Sequence, residues 1–211
     1  VQRRVFGKFV TEEGRTYYAF EWERNMVTRY SVAGWHVYSG CDYGSGGSGH
    51  PAAILFVAVR ADYKKGAVFR GWRGDGLETT AGDVFNKYLD LKEGLMPVQA
   101  VYDPASKDFG TIAERNGVTF TKADKSRDLG EHIVNTLFKH EILDIFDDDL
   151  ELGKLATELT HMMNHNQRSD NKKDDDMADT LRYICTMIPW DFEVINEQIK
   201  AKELAEKGPA K

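Results

Sequence analysis

Cysteine is nearly missing from these 211 residues, which hold only Cys41 and Cys185. Two thiols so far apart supply neither a disulfide framework nor a metal-type spacing, so reduced side chains in a cytosolic protein are expected. Long apolar runs are absent too. None approaches the roughly 20 residues that a membrane-spanning helix needs. The N-terminal "VQRRVFGKFV" has charge but no following apolar block and no small-residue cleavage site, so secretion is not expected. No Gly-Lys-Ser/Thr follows a glycine-rich loop, and ATP hydrolysis by this stretch is not expected either. Basic excess is lacking: Lys and Arg number 28 against 34 Asp and Glu, a formal net charge of −6. That balance weighs against an overall basic nucleic-acid binder, although acids gathered at one metal site would hide a basic rim. What is present is ordinary for a globular chain, with 41% hydrophobic and 29% charged residues. The length suits one substantial core rather than two.

From Trp35 onward the pattern is regular. "WHVYSGCDYG" and "AAILFVAVRA" read as strands, "DYKKG" as a turn and "AVFRGWRGD" as a third strand, an antiparallel meander. "TTAGDVFNKYLDLKEGL" reads as a helix capped by Thr79 or Thr80 and stopped by Gly94. "PVQAVYDPAS" is a short strand ending at an Asp-Pro break. "SKDFGTIAERNGV" is a helix closed by Gly117, and "TFTKAD" another strand. "SRDLGEHIVNTLFKHEI" and "LELGKLATELTHMMN" are helical, with the short "LDIF" between them. "HNQRSDNKKDDD" is a polar loop, and "DMADTLRYICTMI" a last helix limited by Pro189. Residues 1 to 33 suit a short hairpin around a Glu-Gly turn, or a lead-in. The fold class expected is therefore α/β, a mixed sheet of meander plus parallel strands flanked by helices. Such sheets bind ligands beyond the carboxyl ends of their strands.

Acids stand at three of those ends. Asp42 closes the first strand beside the loop "GSGGSGH", Asp103 closes "VQAVYD", and Asp174, Asp175, Asp176 and Asp179 open the last helix. Taken singly, each has an ordinary explanation. A strand-end aspartate is a turn residue, and acids before a helix favour its dipole. Taken together, so many anions in one cleft call for compensation. Oxygen-only ligands suit the hard cations Mg²⁺ or Mn²⁺. Two such ions about 3.5–4 Å apart form a clamp for in-line phosphoryl displacement that needs no His, Cys or Ser nucleophile. On a helix Asp175 and Asp179, or Asp176 and Asp179, point the same way. The glycine loop would leave room for a phosphate to approach Asp42.

"DDDMADTLRY" resembles the C-terminal signature of the nuclease domain in the large terminase subunit of tailed bacteriophages. "GCDYGSGGSGHPAA" resembles that family's first acidic strand and loop, and "AVYDPAS" its second acidic strand. The three occur in the family's order and span residues 35 to 190, the last being the most specific. The resemblance implies an RNase H-like fold, shared with Holliday-junction resolvases, and metal-dependent cutting of concatemeric double-stranded DNA. It implies Asp42 and Asp103 as catalytic metal ligands. The resolvase "DxxDA" ending favours Asp176 and Asp179 as the others, with Asp175 a near rival. Thr180 replaces the more usual Ala. It further implies Mg²⁺ or Mn²⁺ (two ions), an ATPase domain upstream in the same subunit, portal and small terminase subunits as partners, and the host cytoplasm as setting. Residues 1–33 would then be linker or lead-in, 34–192 the nuclease domain and 193–211 the tail. A non-catalytic DNA-clamping or docking module and a junction resolvase are the competing readings.

Basic groups flanking the acids are candidate phosphate contacts. They are Lys64 and Lys65 in the meander turn, Arg70 and Arg73, Lys122, Lys125 and Arg127, and Arg168, Lys172 and Lys173 before the acid cluster. The turn lysines are the first choice, because a protruding hairpin can reach along a groove. A solvated surface is the plain alternative for each group. His161 and His165 are spaced for one helix face but have no third ligand of their type. Arg182 and Tyr183 are expected to pack the last helix on the sheet, Arg182 pairing an acid, with Leu181, Ile184 and Ile188 as its buried stripe.

Overall fold

The computed structural model describes residues 14–44, 50–74, 79–162, 175–193, 196–197 and 200. The glycine loop at 45–49 and Asp174, His165, Arg168, Lys172 and Lys173 lie outside the described residues. A one-turn helix α1 (Trp22–Asn25) leads into β1 (Met26–Val27), and the meander is β2 (His36–Asp42), β3 (Ala53–Val59) and β4 (Gly66–Arg73). Then follow α2 (Ala81–Lys92), β5 (Gln99–Tyr102), α3 (Lys107–Arg115), β6 (Thr121–Lys122) and α4 (Arg127–Lys139). The chain continues through β7 (Leu143–Phe146), α5 (Leu150–His161) and α6 (Asp176–Met187). The strands form one seven-stranded sheet in the order β1-β7-β4-β3-β2-β5-β6. β3 runs antiparallel to β2 and β4, and the remaining neighbours are parallel. The protein is thus an α/β chain with a mixed sheet, as its pattern predicts. Among the described residues no helix is long and apolar enough to cross a membrane.

Burial explains the strand sequences. All seven residues of β3, "AILFVAV", are fully buried, as a strand covered on both faces must be. On β2 successive side chains alternate between the faces. Ser39 points to α2, where its hydroxyl meets the Tyr88 hydroxyl at 3.1 Å. Gly40 points the other way, under α6. A Cβ at Gly40 would lie 2.6 Å from Ile184 Cγ1 and 3.1 Å from Thr180 Cγ2. Glycine in mid-strand is therefore what lets α6 lie against the sheet. Gly130 of α4 plays the same part against Arg182, whose Cγ would stand 2.5 Å from an added Cβ. Thr80 caps α2 in a reciprocal box with Asp83, the start expected from the sequence.

One unassigned stretch gains an assignment, and one expectation gives way. "LDIF" is a fully buried strand, β7, between β4 and β1; four apolar-flanked residues are too few for their period to declare them. The described part of the first 33 residues is no hairpin. Its Tyr17 and Phe20 enter the main core, where Phe20 meets the Phe138 ring edge-on at 5.1 Å.

Candidate functional site

Strand direction brings the acids together. β2, β4, β5, β6 and β7 all run the same way, so their carboxyl ends share one edge of the sheet. Cys41 pairs with Tyr102, which sets Asp42 beside Asp103; the Asp103 N–H donates to the Cys41 carbonyl at 3.1 Å. By the strand alternation Asp42 faces the same side as Gly40, the side covered by α6. The first turn of α6 carries Asp176 and Asp179 to that edge. Asp42, Asp103 and Asp176 are 8%, 7% and 5% exposed.

Electrostatics reports the same convergence. Burial first, then the charges of Asp103 and Asp179, push the Asp42 carboxyl up to about 7, against the Gly44 N–H and Lys125, which pull it down. Burial, then the charges of Asp42, Glu158 and Asp175, push Asp176 up to about 8, with Arg73 opposing. Tyr183 stands among three of the acids. Burial and the charges of Asp179, Asp103 and Asp42 hold its phenol well above the ordinary value, and its hydroxyl lies 3.4 Å from Asp103 Oδ2.

Three of the acids, Asp103, Asp179 and Asp176, also face a base. Lys125 Nζ donates to both Asp103 oxygens at 2.9 Å. Arg182 reaches Asp179 Oδ1 at 3.0 Å, and Arg127 lies 4.0 Å from its Oδ2. Arg73 lies 4.0 Å from Asp176 Oδ2, an oxygen that is buried and makes no hydrogen bond. As the side chains stand, no three His, Cys, Asp or Glu among the described residues are grouped tightly enough to hold a metal ion. The donor set nonetheless fits a hard divalent cation. It consists of carboxylate oxygens alone, two of them on groups that resist ionisation without compensation, and one oxygen is orphaned.

The basic candidates divide by edge. Arg73, Lys122, Lys125 and Arg127 lie at the acid edge, Lys122 exposed and in register with Tyr102. Lys64 and Lys65 do not. The turn they occupy joins β3 to β4 at the opposite end of the sheet, where Gly66 pairs with Val59, six residue steps or roughly 20 Å from Asp42. Lys65 is bound to the buried Asp144 at 2.7 Å and to the Glu141 carbonyl at 2.6 Å. Lys64 lies 4.0 Å from Asp191. These first-choice lysines therefore stand at the end of the sheet away from the acids. Arg70 is likewise turned from the edge: its guanidinium donates to the Leu91 carbonyl and lies over Phe69. His161 bonds the Thr157 carbonyl through Nδ1 at 2.8 Å on an exposed helix face.

One residue at this edge escaped the sequence reading. Glu158 of α5 is 5% exposed and accepts from the Ala178 N–H at 2.9 Å. Its signal was an acid in the helix stripe of Leu152, Leu155, Leu159 and Met162, all buried, where solvent-facing charge does not belong.

No protein-family model and no curated protein matches the chain. Solved structures do. The large terminase of a thermophilic bacteriophage matches with a TM-score of 0.72 and 18% identity, over 87% of this chain and 47% of that one. The present chain thus spans about half the length of that terminase. The nuclease domain of the bacteriophage P22 large terminase matches with a TM-score of 0.66 and 16% identity, over 84% of this chain and 95% of that one. The nuclease domain of the bacteriophage SPP1 large terminase, with bound Mn, matches with a TM-score of 0.55 and 17% identity, over 76% and 94%. The chain has the fold of the nuclease domains of bacteriophage large terminases.

Proposed function

We propose that the chain is a divalent-metal-dependent endonuclease domain that cuts double-stranded viral DNA during genome packaging. The observation that carries it is the meeting of Asp42, Asp103 and the first turn of α6 at the carboxyl edge of a terminase-nuclease sheet. The Mn found in the SPP1 domain supports the choice of cation. Asp42, Asp103, Asp176 and Asp179 would hold Mg²⁺ or Mn²⁺, two ions in the fullest form, with Asp175 the alternative at the helix start. When bound, such ions supply a Lewis acid for the phosphoryl oxygens and activation of water. The protein's own part is to hold the acids in a half-dry edge and to line it with cations. Lys122 would take a backbone phosphate, and Arg73, Lys125 and Arg127 would neutralise the acids and steady the phosphate that enters. An ATPase domain in the same subunit, portal and small terminase subunits, and a host-cytoplasmic setting belong to the same reading. So do the boundaries 1–33, 34–192 and 193–211.

The pairing of Asp103, Asp176 and Asp179 with bases favours a second reading, a non-catalytic module that clamps DNA. Incubation of the protein with supercoiled and linear duplex DNA and Mn²⁺ separates the two. The endonuclease reading expects nicked and then linear product, none with a chelator present, and no change on Lys64→Ala. Lys122→Ala should weaken DNA binding evenly across sequences and reduce its salt slope by about one. DNA retention without any cleavage, and without Mn²⁺ binding by calorimetry, supports the clamp instead.

A further inference from the structure

The first turn of a helix presents amide N–H groups with no partner inside the helix. At α6 the capping carboxylate comes from another helix. Asp175, at the N-cap, makes no side-chain capping bond, while Glu158 Oε2 of α5 accepts from the Ala178 N–H at 2.9 Å. A negative charge there also suits the helix dipole. The other oxygen, Glu158 Oε1, lies 3.1 Å from Arg73 Nε without hydrogen-bond alignment. Arg73 closes β4, lies 4.0 Å from Asp176 Oδ2, and its backbone N–H donates to Glu151 Oε2 at 2.8 Å. Glu151 and Glu158 are two turns apart on α5. One face of α5 therefore holds both the end of β4 and the start of α6.

We propose that Glu158 is a positioning residue, which sets the height and rotation of the first turn of α6 so that Asp176 and Asp179 face Asp42. The proposal rests on the cation reading above. A buried acid that merely helps the fold would predict lost stability and nothing more. Calorimetric Mn²⁺ titration and amide exchange at Met177 and Ala178 distinguish the two, measured well below the melting point of each variant. Glu158→Ala should weaken Mn²⁺ binding by about 10–100-fold, the range seen when the support of a metal ligand is removed, and speed exchange at both amides. Glu158→Gln keeps an acceptor for the Ala178 N–H, so it should recover the slow exchange and much of the affinity. Asp83→Ala, which breaks the capping box of α2, should lower stability and leave Mn²⁺ affinity alone. Should Glu158→Ala fail to fold, a Glu158→Gln variant with slow exchange restored but affinity lost overturns the proposal. So does Glu158→Ala binding Mn²⁺ as tightly as the unaltered protein. An unaltered protein that binds no Mn²⁺ overturns the cation reading as well, which tells the two failures apart.

Discussion

Asp42→Asn is expected to lower metal-dependent cleavage by about a thousandfold or more while making the metal-free protein more stable at pH 8. The activity loss follows from removing a negative oxygen from the cation's donor set, and a thousandfold corresponds to about 4 kcal/mol of transition-state stabilisation. The stability gain follows from burial. With its carboxyl pushed up to about 7, Asp42 is ionised at pH 8 against its surroundings. The amide carries no such charge. Asn can still accept from the Gly44 N–H, which now donates to Asp42 Oδ1 at 2.9 Å, so the turn keeps its geometry. Cleavage at the unaltered rate would remove Asp42 from the site.

The second expectation concerns pH and metal together. Asp42 and Asp176, pushed up to about 7 and about 8, keep protons in the folded chain that the unfolded chain releases near pH 4. The folded state binds more protons between those limits, so stability falls as pH rises through that window. Their favourable contribution is whole below about pH 4 and gone above about pH 8. Without metal, melting should therefore drop by several degrees between pH 5 and pH 8 on this account. Mn²⁺ at about 100 times its Kd should return about 2.7 kcal/mol at pH 8, roughly 5–10 °C for a chain of this size. At pH 5 protons occupy the same oxygens, and the gain should shrink to a degree or two. Differential scanning at both pH values, with and without Mn²⁺, checks it. Equal Mn²⁺ effects at pH 5 and pH 8 would place the cation on other groups.

Much of this arrangement could be read from the residues. Strand β2 announces its own end with Asp42 before a glycine loop, and β5 with Asp103 before proline. The order β2-β3-β4 follows from the meander. α6 is legible from its stripe, and Gly40 beneath it has a reason only once that helix is seen. The turn lysines lie away from the acid edge for a topological cause. Consecutive turns of a meander alternate ends, so the turn after Asp42 lies at the acid edge and the Lys64–Lys65 turn cannot. That step needed no coordinates. Other features were out of reach. β7 is four residues long and is recognised by its neighbours β1 and β4, which lie far from it in sequence. Lys125 on Asp103 and Glu158 on the Ala178 amide join segments 22 and 20 residues apart, and no local period encodes such pairs.

The central claim is that oxygens of Asp42, Asp103 and the start of α6 bind one pool of divalent cations. Crystals soaked in Mn²⁺ and measured for anomalous scattering test it most directly. The account predicts a peak bridging Asp42 and Asp103, with Asp176 or Asp179 turned toward it and Lys125 swung off the Asp103 carboxylate. An ion bound elsewhere, with Lys125 still on both Asp103 oxygens in a fully loaded crystal, would contradict it.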